Sequence, residues 1–409
     1  MELLDSPAPR HPRDYGPRDP AFYADPFRAY AVAHATTPTF RWDAYDQLCF
    51  SAHADVSALL RDRRFGRQRW QGEPPPPRPD LVSFDALERH SMLELEPPEH
   101  THLRRVVNRS FVSRQIASLE PFVRERARRL IAQFPPGEAF DLLPAFATPL
   151  PVEVIATALG VPTSDSDRLL AWSHAMVAIY AFGTDADVRR SADAAAREFD
   201  AYVRGQLVRA RGSSGDTILR TLAMAPDVSD DQAVSTVILL LNAGHEATVH
   251  QIGNAVRHLI AARDGGLDLH AWITDDKRLE ALVEESLRYA PPLHLFTRIA
   301  NEAVDWAGAD GRTHRIERGE EIALLLGAAN RDPRHFPDPN RFDPARERLD
   351  HVAFGGGIHF CLGAPLARLE LRIAIGELFL AYPKLKLAEE PVVADTFHFH
   401  GLKRLMVSA

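Results

Sequence analysis

The sequence of 409 residues predicts a mainly α-helical protein with small β-sheets, which is the α+β fold class. Long stretches show the helical spacing of apolar residues, whereas strand-like stretches are few and short. Hydrophobic residues make up 45% of the chain, enough to bury a large core. The sequence contains neither internal repeats nor a Gly/Ser linker. We therefore expect a single domain over residues 1–409, with a polar N-terminal extension at 1–20.

Five helices are predicted from their periodicity and their ends. The first has Pro121 at its first position and stops before Pro135, because proline fits only the first turn of a helix. The longest follows Ser229, a good N-cap residue, and its first turn is acidic, which suits the positive end of a helix dipole. The predicted ranges are 121–133, 186–211, 230–262, 275–290 and 361–382.

Four shorter stretches predict strands because they are rich in β-branched and aromatic residues. Their ranges are 40–51, 297–306, 322–326 and 396–407. Consecutive prolines within residues 72–79 exclude a regular helix or a central strand, so a loop is predicted there.

The charge and the cysteine content exclude several classes of protein. The formal net charge is 48 − 56 = −8, which argues against a nucleic-acid-binding protein, since such proteins carry a basic surface. Cys49 and Cys361 are too few for a disulfide framework and form no CxxC motif. The longest apolar run, residues 175–182, is far shorter than a membrane span, and residues 1–20 lack the apolar core of a signal peptide. We expect a cytoplasmic protein without a membrane partner.

The most informative segment is the glycine-rich stretch 354–363, FGGGIHFCLG, which places Cys361 at the start of a predicted helix. The segment lacks the spacing of a phosphate-binding glycine loop and the CxxCH motif of c-type haem attachment. A zinc site built with nearby histidines lacks the usual ligand spacing, and a buried structural cysteine does not account for the glycines. These two alternatives stay open, but a cysteine thiolate bound to haem iron accounts for more of the residues.

Each residue of the segment has a physical reason in a haem-thiolate site. A helix N-terminus at Cys361 directs free N–H groups and the positive dipole end at the sulfur, which favours the thiolate. Gly357 and Gly363 allow the backbone to approach the ligand and the porphyrin closely. Phe354 is placed to cover the sulfur and to keep water away. Because Cys-ligated haem favours O–O cleavage, the segment indicates an oxygenase.

The pattern FxxGxxxCxG, formed by Phe354, Gly357, Cys361 and Gly363, resembles the haem loop of the cytochrome P-450 family. The resemblance extends over nearly the whole chain, because further motifs follow in the expected order. It implies the cytochrome P-450 fold, with haem b between the long central helix and the helix after the cysteine. It also implies that Cys361 is the axial thiolate ligand of the iron, the only metal ligand expected from the chain.

The resemblance assigns four residues to the two haem propionates. His100 and Arg104, four residues apart on one helix face, match the positions that bind one propionate. Arg298 and His359 match the positions that hold the other. Arginine–carboxylate hydrogen bonds are strong, and buried carboxylates require such partners.

Residues 243–248, in the middle of the long helix, match the oxygen-binding segment of the family. The resemblance implies that Gly244 lets the helix loosen where oxygen binds and that Glu246 helps to deliver protons. The family usually carries threonine after this acid, whereas this chain has Ala247. Thr248 lies about 100° further around the helix and does not simply substitute. Our hypothesis is that a substrate hydroxyl or an ordered water replaces the missing hydroxyl.

Glu285 and Arg288 match the ExxR pair of the family and lie at i,i+3 on a predicted helix. The resemblance implies that this pair locks the core to residues 339–342, with Arg341 as a third member. We interpret all three residues as structural rather than catalytic.

By resemblance, the protein is expected to be a monomeric haem-thiolate monooxygenase that uses dioxygen to oxidise a small organic substrate. The chain carries no flavin or iron–sulfur motif, so electrons are expected from a ferredoxin or flavodoxin and its reductase. Arginines near the thiolate side are candidate docking contacts, namely Arg61, Arg63, Arg64, Arg105 and Arg109. Two haem alternatives are a peroxide-driven or oxidative-coupling enzyme, favoured by Ala247, and a non-catalytic haem-binding module, disfavoured by Glu246. A zinc hydrolase is the distant non-haem alternative.

The resemblance also indicates which segments line the substrate pocket. These are residues 80–91, 241–248, 293–296 and 397–402, with Asn242, His294, His398 and His400 as candidate polar contacts. A mostly apolar pocket with a few polar groups suits many ligands, so the substrate is not identified by these residues.

Overall fold

Helices account for most of the regular structure in the computed structural model, which describes residues 9–16, 18–68, 75–109, 113–347 and 349–408. The α-helices are α1 (Pro20–Tyr23), α2 (Pro26–Thr36), α3 (His53–Leu59), α4 (Val82–Glu88), α5 (Glu99–Asn108), α6 (Ser113–Ser118), α7 (Glu120–Ile131), α8 (Pro149–Leu159), α9 (Ser166–Val177), α10 (Ala186–Arg211), α11 (Ile218–Ala223), α12 (Asp230–Asp264), α13 (Leu269–Ile273), α14 (Asp276–Tyr289), α15 (Leu326–Ala329) and α16 (Ala364–Ala381). The strands are β1 (Thr39–Trp42), β2 (Gln47–Phe50), β3 (Phe65–Gly66), β4 (Phe140–Asp141), β5 (Phe296–Ala300), β6 (Val304–Ala307), β7 (Thr313–Ile316), β8 (Glu321–Leu324), β9 (Lys386–Leu387), β10 (Val392–Val393), β11 (Leu402–Arg404) and β12 (Met406–Ser408).

The long helix α12 lies at the centre of the fold, where it packs against α8, α10, α14 and α16. Its N-terminus carries a capping box. The Ser229 side chain accepts a hydrogen bond from the Gln232 N–H at 3.2 Å, and the Gln232 side chain accepts one from the Ser229 N–H at 3.0 Å. The box satisfies backbone donors that have no partner within the helix. The predicted start of this helix is confirmed.

The predicted strands are shorter and more numerous than the sequence patterns indicated. Residues 40–51 form the antiparallel hairpin β1–β2, because the chain turns at Asp46, whose φ is 51°. Residues 297–306 likewise divide into β5 and β6. β1, β2, β3, β5 and β8 form one sheet in the order β1-β2-β8-β5-β3, in which β2 and β8 run parallel. In the stretch predicted at 396–407, Phe399 forms an isolated antiparallel bridge with Leu293, and continuous strands begin only at β11.

The N-terminal segment is more closely packed than a polar extension. Tyr15 is buried with Phe22, Trp42 and Phe397 in an aromatic cluster, and the Trp42 indole N–H donates to the Tyr15 carbonyl at 3.0 Å. Residues 1–8 and 17 lie outside the described residues. In the loop predicted at 72–79, residues 75–79 form neither helix nor strand, and residues 72–74 are not described. None of the described helices combines the length and the apolar character needed to cross a membrane.

Candidate active site

A cavity of about 1610 Å³ lies between α12 and the loop that precedes α16. Its walls include Cys361 from that loop and Gly244 and Glu246 from α12. Ligand pockets usually measure roughly 300–1,000 Å³, so this cavity has room for a large planar cofactor and an organic molecule together. Parts of all four predicted lining segments are on its walls. Of the candidate polar contacts, His398 lines the cavity, whereas His294 is buried with its Nδ1 2.9 Å from the Tyr30 hydroxyl.

The loop formed by residues 352–363, which we call the cysteine loop, turns sharply at two glycines. Gly355 and Gly357 both have a φ of 69°, in the left-handed region that favours glycine. A side chain at Gly357 would also collide with the Leu60 carbonyl oxygen. We expected Gly357 to allow a close approach to the porphyrin. In the structure, Gly357 instead allows a close approach to the backbone at Leu60. The Cys361 N–H donates to the Phe354 carbonyl at 3.0 Å and closes the loop.

Cys361 lies before the helix rather than in its first turn. α16 begins at Ala364, with Gly363 as the N-cap residue and Pro365 in the first turn, so the predicted start at 361 is wrong. The reason is that residues 361–363 turn outside the helical pattern, which directs the N–H groups of Gly363 and Ala364 at the sulfur. Burial raises the pKa of the Cys361 thiol, and these N–H groups and the nearby guanidinium of Arg104 offset only part of that rise.

Phe354 lies on the cavity wall beside the cysteine loop. The guanidinium carbon of Arg368 lies 4.6 Å from the centroid of its ring, and the Phe360 ring lies 6.2 Å away. The ring is therefore held by a cation–π contact and an aromatic contact. That the Phe354 ring covers the sulfur of Cys361 stays a prediction.

The four predicted propionate donors all line the cavity: His100 and Arg104 on α5, Arg298 on β5, and His359 in the cysteine loop. The rings of His100 and His359 lie 4.4 Å apart. Residues that are far apart in the sequence are thus brought to one site. Arg104 also donates to the Phe360 carbonyl at 2.6 Å, which joins α5 to the cysteine loop.

The donors leave hydrogen-bonding capacity that suits two anionic groups. The His100 Nδ1 is buried without a hydrogen-bond partner. Arg298 is 3% exposed and donates to the Thr297 carbonyl at 2.9 Å, and burial lowers its pKa to about 10. Burial also lowers the pKa of Arg104. Neither arginine forms an ion pair with a carboxylate of the described residues. Because an unpaired cation as buried as Arg298 is costly, and Arg104 lies on the same cavity, this arrangement fits the propionates of a haem.

His359 is already engaged with a carboxylate. Its Nε2 lies 3.1 Å from Glu96 Oε1, and the same oxygen accepts a hydrogen bond from the Arg67 backbone N–H at 2.6 Å. Burial lowers the pKa of His359, although Glu96 opposes this effect. A propionate beside His359 would also approach Glu96. The donor role of His359 therefore stays a prediction.

On the opposite wall, α12 continues unbroken through Gly244, so the expected loosening of the helix is not seen. A Cβ atom at Gly244 would lie 2.7 Å from the Ile155 side chain of α8, which shows that glycine permits close packing of the two helices. Thr248 donates to the Gly244 carbonyl at 3.4 Å. The Thr248 hydroxyl therefore points back along its own helix, and Ala247 leaves the cavity wall without a hydroxyl at its position.

Glu246 lies among three histidines that were not among the predicted site residues. The Nε2 atoms of His174 and His245 each lie 3.4 Å from Glu246 Oε2, and the Nε2 atom of His250 lies 3.3 Å from Oε1. Burial alone would raise the pKa of Glu246, but interactions with the imidazoles of His174 and His250 hold it well below its ordinary value. The i,i+4 spacing of Glu246 and His250 was a usable signal. His174 lies on α9, and no sequence pattern links it to α12.

Glu285 and Arg288 form an ion pair with both side chains 0% exposed and an Nε–Oε2 distance of 2.6 Å. The third member of this group is Arg346, whose Nε lies 3.3 Å from Glu285 Oε1. The prediction that Arg341 is the third member is wrong. Its side chain is exposed, and only its carbonyl takes part, accepting from Arg288 at 3.3 Å. The reason is that the segment after Arg341 folds back and returns Arg346 to Glu285.

The comparisons with known proteins agree with this geometry. Residues 274–402 match the family model described as Cytochrome P450. The chain is 37% identical over 390 residues to the cytochrome P450 monooxygenase PikC of Streptomyces venezuelae, covering 92% of this chain and 89% of that protein. It is 35% identical over 398 residues to the vitamin D(3) 25-hydroxylase of Pseudonocardia autotrophica, covering 95% and 94%. The crystal structure of P450BioI in complex with hexadec-9Z-enoic acid ligated acyl carrier protein is similar, with a TM-score of 0.87 and 30% identity, covering 95% of this chain and 99% of that one.

The fold, the cavity and these relatives define a haem-thiolate monooxygenase. The chain belongs to the cytochrome P450 family, has its fold, and carries haem b with a cysteine thiolate as the axial ligand. Its reaction uses dioxygen, a small-molecule substrate and electrons from redox partners. The predictions of fold class, enzyme class and cofactor are confirmed.

Proposed function

We propose that Cys361 is the thiolate ligand and that an organic substrate is oxidised in the cavity between the cysteine loop and α12. A single observation carries this proposal: Cys361 and Glu246 line the same cavity as the propionate donors Arg104 and Arg298. Bound haem supplies the activation of dioxygen, which the thiolate promotes by favouring O–O cleavage. In this proposal, residues 1–409 form one catalytic domain.

The residues of the chain have separate tasks in this proposal. The N–H groups of Gly363 and Ala364 stabilise negative charge on the sulfur of Cys361. Arg104 and Arg298 bind the propionates, together with His100 and, as a prediction, His359. Glu246, which lines the cavity, is the proposed carrier of protons into it.

The ligand assignment is tested by the absorption spectrum of the reduced, carbon-monoxide-bound protein. We expect a strongly red-shifted Soret band, which Cys361→Ser abolishes. Cys49→Ala is the matched control, because Cys49 is buried in β2 with a weak 3.7 Å contact to the Gln47 carbonyl. A histidine-type spectrum in the unaltered protein, or loss of the band in the Cys49 variant alone, would overturn the assignment.

A ferredoxin or flavodoxin is the proposed electron donor, and it docks on the side of the cysteine loop. Two features support this surface. The chain at Leu60 and Arg61 packs against Gly356 and Gly357 of the loop. Arg105 and Arg109 are exposed on and just after α5, which is joined to the loop through Arg104. Electrostatic steering of an acidic partner follows from these positions.

Steering predicts that the rate of reduction falls as ionic strength rises. Arg105→Glu should slow reduction by the donor at low salt, whereas Arg190→Glu, an equal charge change at an exposed position on α10 outside the proposed surface, should not. Stopped-flow reduction measures both rates. A rate that is independent of salt and of Arg105 would contradict the proposed surface.

We further propose that the enzyme works as a monomer in a reducing cytoplasm, which its free cysteines suit.

The proton route is proposed to use a substrate hydroxyl or an ordered water in place of the missing threonine hydroxyl. The support is that Ala247 lines the cavity and that the Thr248 hydroxyl bonds to the Gly244 carbonyl. Ala247→Thr should then change the amount of peroxide released per electron pair consumed with the natural substrate. Unchanged peroxide release would contradict this route.

A peroxide-driven or oxidative-coupling enzyme is the second candidate, and Ala247 is the observation that favours it. Peroxide already carries the oxygen, the two electrons and the two protons that dioxygen activation otherwise needs, so a peroxide-driven reaction does not depend on the hydroxyl relay that Ala247 lacks. Peroxide should then support product formation as well as the electron donor does. A large preference for the electron donor would leave the monooxygenase reaction as the function.

A further inference from the structure

Four side chains meet where α9 and α12 border the cavity: His174, His245, Glu246 and His250, which we call the distal histidine cluster. The ligand atoms of the first three lie within 4.8 Å of one another. The imidazole nitrogens approach the carboxylate oxygens at 3.3–3.4 Å. Charge-assisted N–H···O bonds usually measure about 2.7–2.9 Å, so these contacts are long for hydrogen bonds between charged groups.

His245 gives the clearest indication that a cation belongs in this cluster. Its side chain is 2% exposed, and its Nδ1 lies 2.9 Å from the Leu241 carbonyl oxygen. Because a carbonyl only accepts, Nδ1 carries the proton, and Nε2 of the neutral ring presents a lone pair. That lone pair faces the Glu246 carboxylate, and Nε2 is buried without a hydrogen-bond partner. A lone pair opposite an anion is unfavourable unless a proton or a metal ion lies between them.

The outer contact of His245 is also the one that metal-binding imidazoles make. A metal ligand of this type binds through one ring nitrogen and donates its other N–H to a carbonyl or a carboxylate, which fixes the ring orientation. The Nδ1–Leu241 contact supplies this second partner. Nε2 is therefore the nitrogen that is oriented for coordination.

Two of the three ligand-atom spacings match tetrahedral coordination, and the third lies within 4.8 Å. Zinc binds imidazole nitrogen and carboxylate oxygen at about 2.0–2.2 Å, which places neighbouring ligand atoms roughly 3.3–3.6 Å apart. His174 and His245 each lie 3.4 Å from Glu246 Oε2, within that range. Two imidazoles and a carboxylate suit zinc and similar divalent transition-metal ions rather than magnesium or calcium, which prefer oxygen ligands. The His174 side chain is 54% exposed, so an ion can reach the cluster from solvent.

We propose that His174, His245 and Glu246 bind a divalent transition-metal ion of the zinc class, while His250 orients the carboxylate through Oε1. His174 lies on α9 and the other ligands on α12, so the ion links two helices that line the cavity. A bound ion also occupies the carboxylate that we propose as the proton carrier, so zinc should inhibit turnover. Only this inhibition rests on the proposed role of Glu246; the binding does not.

The test uses the haem-loaded, untagged protein after dialysis against a chelator. Zinc chloride is titrated by isothermal calorimetry, and zinc per haem is measured after gel filtration. We expect one tight site, which His174→Ala weakens by at least about tenfold, since even indirect partners of a metal cost about 10–100-fold. The carbon-monoxide-bound spectrum shows whether each variant keeps its haem site. His245→Gln should have the same effect, and His270→Ala, at an exposed position on α13, is the matched control that keeps the site.

Two outcomes overturn the metal site: zinc binding no tighter than to a variant lacking both His174 and His245, or an affinity that His174→Ala leaves unchanged. In either case the cluster holds protons rather than an ion. Tight binding that depends on His174 but does not slow turnover leaves the metal site standing and contradicts the role of Glu246 as the proton carrier. The failures of the two proposals are therefore distinguishable.

Discussion

Replacing Arg346 with alanine should destabilise the protein far more than replacing Arg341. The Arg346 guanidinium, whose side chain is 9% exposed, lies 3.3 Å from Glu285 and donates to three carbonyls, including that of Asp338 at 2.6 Å. A hydrogen bond from a charged group contributes about 1.5–3 kcal/mol, and such contributions to one side chain are not additive. Removing a partner from a buried ion pair costs about 3–5 kcal/mol, but Glu285 keeps Arg288.

These limits place the loss of unfolding free energy for Arg346→Ala at roughly 2–4 kcal/mol. Arg341→Ala is the matched control, because it removes an exposed side chain of the same type and should change stability by less than about 0.5 kcal/mol. Guanidinium unfolding followed by far-ultraviolet circular dichroism measures both values, and the Soret band reports when haem is lost. Equal losses in the two variants, or a larger loss for Arg341→Ala, would refute the reasoning.

Three further substitutions have effects whose direction follows from burial, ion pairing or close packing at the substituted residue. Glu370 is 1% exposed with both oxygens unpartnered, and burial raises its pKa, so Glu370→Gln should stabilise the protein at neutral pH in pH-dependent denaturation. The gain should vanish as pH falls to the ordinary carboxyl pKa. Glu377→Gln should destabilise the protein at neutral pH, because Arg128 and Arg124 outweigh burial and lower the pKa of Glu377. The stability that ionised Glu377 contributes at neutral pH is lost as the pH falls through this lowered pKa. Gly244→Ala should cost about 1–3 kcal/mol through the clash with Ile155, and Ile155→Ala should recover part of that loss in a double-mutant cycle.

The sequence identified the features that depend on local spacing. The start of α12 was predictable because a capping box needs only Ser229 and the residues immediately after it. The ion pair of Glu285 and Arg288 was predictable because residues three apart lie on one face of a helix. The cysteine loop was recognisable from its glycines and its lone cysteine, although its three residues before α16 were assigned to the helix.

The features that could not be predicted from the sequence depend on contacts between segments whose proximity no local pattern encodes. Arg346 rather than Arg341 reaches Glu285, because the intervening chain folds back. His174 reaches Glu246 only because α9 packs beside α12.

The haem-loop cysteine and the acid on α12 could be identified from the sequence because each belongs to a short local pattern, and the order of several such patterns along the chain indicated the family. The surroundings of those residues depend on how the helices and loops pack in the folded chain. Gly244 proved to be a packing contact with α8, and Glu246 proved to be held by histidines from two helices. Electrostatics and packing act through space, and the distances between elements are set only when the core around α12 is assembled.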